Sequence, residues 1–290
     1  MSETKTSTVA APGAVITYDV RQPETETAGD QPMLMLIGSP MDASGFVSLA
    51  ARFPDRTVVT YDPRGTGRST KSEPDSESTP DQHAEDLHRI IDDLGGAPVD
   101  LFGNSGGAVN ALALVAQHPD QVRILVAHEP PAAQVLPDQE QALAGIESIR
   151  KTYQESGFGP AMARFIGLVS IKGEIPASFA DQPVDPAMFG LPTEDDGTRA
   201  DPLLGQNLIT CTGYNHDFDA LRAAPTRVVI AVGIESEGEF AYRGGLGVAE
   251  RLGTEPVIFP SNHAGFLGGE YGQQGDPDGF AVALRKALSE

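Results

Sequence analysis

The sequence predicts an α/β protein, a doubly wound and mostly parallel sheet carrying an inserted helical segment. Three observations carry this. Short continuous apolar runs recur early: PMLMLI at 32–37, RTVVTY at 56–61 and VDLF at 99–102, as expected of strands covered on both faces. Helical stretches alternate with them, which is the βαβ rhythm of a parallel sheet. From 136 to about 213 the rhythm lapses into helices, and it resumes at Thr226. The chain therefore divides into a core of 1–135 and 214–290 and an inserted helical cap of 136–213.

In order, residues 1–12 are polar and expected to stay outside the fold, and Ala14 to Val20 alternates as a strand. A Thr/Glu/Asp/Gly turn at Gln22 to Gln31 leads to the apolar run at 32–37. A short helix comes next near Ser44 to Ala51, then the strand Arg56 to Tyr61. Thr79-Pro80 supplies a cap and a first-turn proline for a helix ending at Gly95-Gly96. Val99 begins a strand that ends in a Gly-rich turn and a helix. Val122 to Ala127 is the next strand, broken by His128-Glu129-Pro130-Pro131. In the inserted span, Asp138–Tyr153, Pro160–Ile171 and Leu203–Cys211 read as helices. Thr226–Val232 and Pro256–Phe259 are strands, separated by a helix over Phe240–Leu252, and a last helix covers Asp278–Leu288.

Composition narrows the function. With 290 residues and 40% hydrophobic content the chain can build one large core. A formal charge of −21 without a basic cluster argues against nucleic acid and anionic membrane surfaces, and against a polyanionic substrate. The single cysteine, Cys211, allows no internal disulfide, and no Cys/His spacing of the metal-binding kind appears, so neither metal nor cofactor is expected. The N-terminal segment lacks the apolar stretch of a signal peptide, and no run reaches membrane-spanning length. A cytoplasmic protein acting on a small molecule is the expectation; the oligomeric state is left open.

The chemistry concentrates at Gly103-Asn104-Ser105-Gly106-Gly107, a G-x-S-x-G match with a strand before it and a helix after it. A sharp strand-to-helix turn lifts the serine side chain above the sheet, and small neighbours let the strand and helix backbones pass closely. The Gly106 N–H then points where a carbonyl oxygen would become negative. Four stretches, GSPM at 38–41, DPRGTGRS at 62–69, GNSGGA at 103–108 and NHAGF at 262–266, each come after a predicted strand. With HEPP at 128–131 they give a chain that resembles the α/β-hydrolase-fold serine hydrolases with a helical cap, of bacterial type and undefined substrate.

That resemblance implies a nucleophile, acid and histidine in chain order, Ser105 and His263 being the outer members. His263 lies in a loop between the last apolar run and the final helix. His83 and His88 read as residues of a polar helix face, His118 as a helix-end residue, His216 as preceding a strand, and His128 as structural. The acid has candidates on two loops. Relatives commonly place it three residues beyond a Gly after the seventh strand. Here that Gly is Gly233 and the third residue is Ser236, so Glu235 is the first choice and Glu237 a lesser one. Other relatives place it after the sixth strand, where Glu129 stands as the alternative. The second oxyanion donor is expected at Ser39, with Met41 as alternative, since Pro40 has no N–H. Arg64, in the 62–69 stretch, is expected to anchor loops. The implied activity is hydrolysis of an ester or lactone of a small, neutral to apolar substrate through an acyl-enzyme at Ser105. Peptide, thioester or C–C bond hydrolysis, perhydrolysis, and non-catalytic ligand binding under the cap are the alternatives.

Overall fold

The computed structural model describes residues 4–24 and 31–289. Two antiparallel strands open the described chain, β1 (Thr4–Ala11) and β2 (Ala14–Arg21), paired along their full length and turned at Gly13, whose φ is +70°. The expectation that residues 1–12 stand outside the fold is thus corrected for Thr4–Ala11. β1 is an edge strand whose residues are exposed or half-buried, so it carries no apolar pattern to read. Of the turn expected at Gln22 to Gln31, positions 25–30 lie outside the described residues.

The remaining elements keep the predicted rhythm. They are β3 (Leu34–Ile37), α1 (Val47–Ala50), β4 (Val58–Tyr61), β5 (Thr70–Lys71), α2 (Pro80–Asp93), β6 (Val99–Asn104), α3 (Gly106–Gln117) and β7 (Val122–His128). Then come α4 (Gln139–Ser156), α5 (Phe158–Val169), α6 (Leu208–Thr212), α7 (Phe218–Ala223), β8 (Arg227–Gly233), α8 (Phe240–Leu252), β9 (Val257–Phe259) and α9 (Pro277–Ser289). The sheet runs β1-β2-β4-β3-β6-β7-β8-β9, with β5 on β2, and every pairing from β4 to β9 is parallel.

Strand residues alternate between two cores. Met35, Ile37, Leu101 and Leu125 face a core shared with Leu87 and Ile90 of α2 and Leu112 of α3. Leu34, Leu36, Phe102 and Val126 face the other side, against Phe280 and Leu284 of α9. Side chains buried on both faces explain why these strands read as unbroken apolar runs. α2 starts where its capping signal says: Thr79 Oγ1 accepts from the Gln82 N–H at 3.2 Å, and Gln82 Oε1 accepts from the Thr79 N–H at 3.0 Å.

Between β7 and β8 the chain is helical throughout its ordered elements, and a π-helical stretch, Pro202–Asn207, leads into α6. Ile146, Ile149 and Tyr153 of α4, Ala161 and Leu168 of α5, and Leu204 and Leu208 form a third apolar cluster, closed by Phe240 of α8.

Candidate active site

Three parallel strands, β6, β7 and β8, end side by side, and the site is built from the turns and loops at their C-terminal ends. β6 enters the turn at Ser105, which has φ 57° and ψ −127°. A non-glycine residue in the left-handed region costs roughly 1–3 kcal/mol and persists only where its surroundings enforce it. Here the neighbours do so. The Ser105 N–H donates to the His128 carbonyl at 3.0 Å, and the Ser105 carbonyl accepts from the Ala108 N–H at 2.9 Å. A Cβ at Gly107 would sit 2.6 Å from the Ile37 carbonyl oxygen, and one at Gly103 2.8 Å from the Gly107 carbonyl oxygen. Only glycine lets the strand and helix approach this closely.

Directly after β7 comes a second left-handed residue, Glu129, with φ 48°. Its N–H donates to the Ala231 carbonyl of β8 at 2.9 Å. Its carboxylate is completely buried and doubly satisfied. Oε1 accepts from the Gly233 N–H at 2.8 Å, and Oε2 accepts from His263 Nδ1 at 2.6 Å. Burial would raise the Glu129 pKa, but the hydrogen bond from His263, the charges of His263 and His128, and the Gly233 N–H outweigh it. They hold the group down to about 2. Because an ionised carboxylate only accepts, the His263 proton sits on Nδ1. In the neutral ring this tautomer leaves the lone pair on Nε2.

β8 supplies the room for the histidine loop. A Cβ at Gly233 would meet the Ser261 carbonyl oxygen at 2.8 Å and Asn262 at 3.0 Å. The glycine that points to Glu235 in the sequence thus admits the His263 loop and donates its own N–H to Glu129. The structure does not bring the first choice of acid to the histidine: Glu235 is exposed, its Oε2 lies 3.4 Å from Ser261 Oγ, and the carboxylate facing His263 is that of Glu129. Glu237 is exposed as well. The physical reason is direction. After β8 the chain enters a short 3-10 turn, Ile234–Ser236, which buries Ser236 and turns its neighbours outward.

Ser39, Ser105, Gly106, Glu129 and His263 line one cavity of about 210 Å³. A Cβ on Gly106 would fall 2.5 Å from the Ser39 carbonyl oxygen, so the two residues expected to give the oxyanion donors are packed against each other. Met41 lines only the wider outer groove. The other cavity walls come largely from the helical span and α8: Ile146, Phe165, Val169, Leu203, Leu208 and Phe240.

Residues that do not line the cavity support the site. Asp62 accepts from the Ala43 N–H at 3.1 Å and from the Arg68 N–H at 2.8 Å, tying the loop after β3 to that after β4. Arg64 forms a buried two-point pair with Asp86 of α2, Nε–Oδ2 2.8 Å and Nη2–Oδ1 2.6 Å, the loop anchor expected of it. His128 is buried, and its Nδ1–H donates to Asn104 Oδ1 at 2.7 Å, beside Phe102, Phe259 and Phe280. Burial pushes its pKa down to about 4. The reading of His83 as part of a polar face is corrected. It is fully buried, bonds Asn207 Oδ1 at 2.8 Å through Nε2, and is likewise held at about 4 by burial. Asn207 stands in the π-helical stretch, a contact that no pattern in α2 announces. His216 precedes α7 rather than a strand.

With this geometry in place the comparisons are direct. A family model described as alpha/beta hydrolase fold matches residues 31–196. An uncharacterised hydrolase of Bacillus subtilis, YraK, is 30% identical over 267 residues, 89% of each chain. The chain belongs to the α/β hydrolase fold family. Among solved structures it is similar to the enol-lactonase from Burkholderia xenovorans LB400, with TM-score 0.65 and 19% identity over 98% of this chain and all of that one. It is also similar to carboxylesterase CesB of Bacillus subtilis, with TM-score 0.59 and 17% identity over 99% of this chain and 92% of the other. The protein is a hydrolase by family, and among the described residues no helix is long and apolar enough to cross a membrane.

Proposed function

We propose that the protein is a serine hydrolase that cleaves a small, neutral to apolar ester or lactone through an acyl-enzyme on Ser105. The observation that carries this is the His263 Nδ1 to Glu129 Oε2 bond of 2.6 Å at the wall of the cavity that also holds Ser105. In this reading His263 Nε2 takes the Ser105 proton as the oxygen attacks the acyl carbon. Glu129, ionised at any working pH, fixes the ring and stabilises its charged form. The Gly106 and Ser39 N–H groups hold the oxyanion. His263 then protonates the leaving oxygen, and water repeats the sequence to free the acid.

Residues 136–213 serve as the cap in this reading, and their apolar side chains set the size of substrate admitted. The charge preference has its own support. The inner cavity and outer groove are lined by Asp42, Asp201, Glu235 and Glu239 besides Glu129, and by no Lys or Arg among the described residues. A substrate carrying its own carboxylate would meet repulsion on entry.

Stopped-flow hydrolysis of short-chain aryl acetates, followed by matched neutral and carboxylate-bearing esters and lactones, tests the reading. The expected result is a burst of one leaving group per active site, absent in Ser105→Ala, with neutral members preferred at least tenfold. Folded native protein that is silent across the whole panel would overturn it.

A further inference from the structure

We propose that Glu85, His88 and His118 form a binding site for a divalent transition-metal ion such as Zn²⁺, clamping the middle of α2 to the end of α3. One ligand atom from each of the three lies within 4.8 Å of the other two. Glu85 and His88 stand one turn apart on α2, and His118 caps the C-terminus of α3. The two imidazole rings are stacked, with centroids 3.9 Å apart and planes 5° from parallel.

The hydrogen bonds around the cluster dictate where the protons are. Asp92 only accepts, so the Gln121 amide must turn its NH₂ to Asp92 Oδ1, at 2.8 Å. That leaves Gln121 Oε1 facing His88 Nδ1 at 3.0 Å, and Nδ1 must donate to it. In neutral His88, Nε2 is therefore a bare lone pair, and it faces Asp92 Oδ2 at 3.4 Å. Two electron-rich atoms confront each other there unless a proton or another cation intervenes. A metal ion on His88 Nε2 removes that contact between lone pairs. Gln121 then acts as the outer partner that fixes the tautomer of a metal-bound histidine.

His118 Nε2 now donates to Glu85 Oε1 at 2.7 Å. On binding, its proton moves to Nδ1, and both Nε2 and Glu85 exchange that hydrogen bond for metal bonds. Ligand atoms of a tetrahedral Zn²⁺ site stand about 3.3 Å apart. Parallel rings cannot aim both lone pairs at one ion, so binding requires one of the half-buried imidazoles to turn out of the stack. The Arg89 charge also acts on Glu85 and is the competitor for it. Two nitrogens and one carboxylate suit Zn²⁺ or Co²⁺ rather than Ca²⁺ or Mg²⁺. His118, at the C-terminus of α3, puts the site where a helix end favours a cation.

The test is titration of untagged native protein with Co²⁺, read by its visible d–d bands, with Zn²⁺ as competitor. Thermal melts run in parallel. One Co²⁺ per chain is expected, displaced by Zn²⁺. His88→Gln and His118→Gln should each weaken binding at least 30-fold, and Glu85→Gln about tenfold. His263→Ala, which shares a cavity with Ser105 at the opposite end of α3, a helix roughly 18 Å long, should bind normally. At a hundredfold excess of Zn²⁺ over its Kd, the native melting temperature should rise by about 5 °C, and those of the two histidine variants should not. With all melts equal in the absence of metal, affinity unchanged in either histidine variant would overturn the proposal. So would weak multi-site binding alone, as a chain of charge −21 could give through its carboxylates, or no binding below 1 mM.

Discussion

The loops after β7 and β8 are neighbours in space, and each carries glutamate within two residues of its strand. They differ in what the backbone does. After β7 the first residue, Glu129, takes a left-handed conformation that sends its side chain back under the histidine loop, fully buried and held at both oxygens. After β8 the chain coils into a 3-10 turn, and Glu235 is left outside with a 3.4 Å contact to Ser261. The same side chain is a strongly acidic, immobilised carboxylate in one loop and a solvated surface charge in the other. What separates them is backbone direction and the supply of donors, neither of which residue type encodes.

The largest break in this comparison comes from neutralising each group in turn. Glu129→Gln should lower kcat/KM by about 10³–10⁴-fold, since the amide can present an N–H to His263 and hold the wrong tautomer. Glu235→Gln should stay within about threefold. Ester hydrolysis on the two purified variants checks this, and a reversal would hand the role to the β8 loop.

Next in size is a pH effect at the end of β7. Folding lowers the pKa of His128 from 6.5 to about 4, so between those values the unfolded chain binds a proton that the native state refuses. Stability from this group is complete above about pH 6.5 and is lost as pH falls toward 4, by about 3 kcal/mol over the window. Glu129 behaves in the opposite sense with respect to its charge. Its pKa is lowered from 4.5 to about 2, so its stabilisation is intact above 4.5 and fades only as pH drops toward 2. Urea unfolding of native protein and His128→Gln from pH 7 to 4 should show the variant's slope shallower by about one proton. Equal slopes would show that His128 charges normally in the fold.

A smaller effect sharpens the link between the loops. Gly233→Ala places a Cβ against Ser261 and Asn262, shifting the His263 loop away from Glu129. The expected loss is roughly 10–100-fold in kcat with KM little changed, measured on the same esters. The smallest concerns charge at the mouth. Glu239 lines both cavity and groove, and Glu239→Gln should improve kcat/KM for a carboxylate-bearing ester about three- to tenfold while leaving its neutral analogue within twofold.

Much of this was legible in the sequence because strands buried on both faces and Gly-rich turns leave local marks. The 99–115 stretch announces strand, turn and helix, and the structure puts Ser105 at their junction. β1 was illegible because an edge strand needs no apolar residues. Which of Glu235 and Glu129 meets His263 was illegible because it rests on φ at one residue and on a hydrogen bond spanning 134 positions. His83 looked polar because its partner, Asn207, lies 124 residues away. The Glu85, His88 and His118 cluster escaped any spacing rule because two helices contribute to it.

The central claim is an activated Ser105 served by His263, and intact-mass labelling with a small fluorophosphonate tests it most directly. Native protein should take up one phosphonyl group per chain, Ser105→Ala none, and His263→Ala less than a hundredth of the native rate. Stoichiometric labelling that persists at the native rate in His263→Ala, or uptake in Ser105→Ala, would contradict the account.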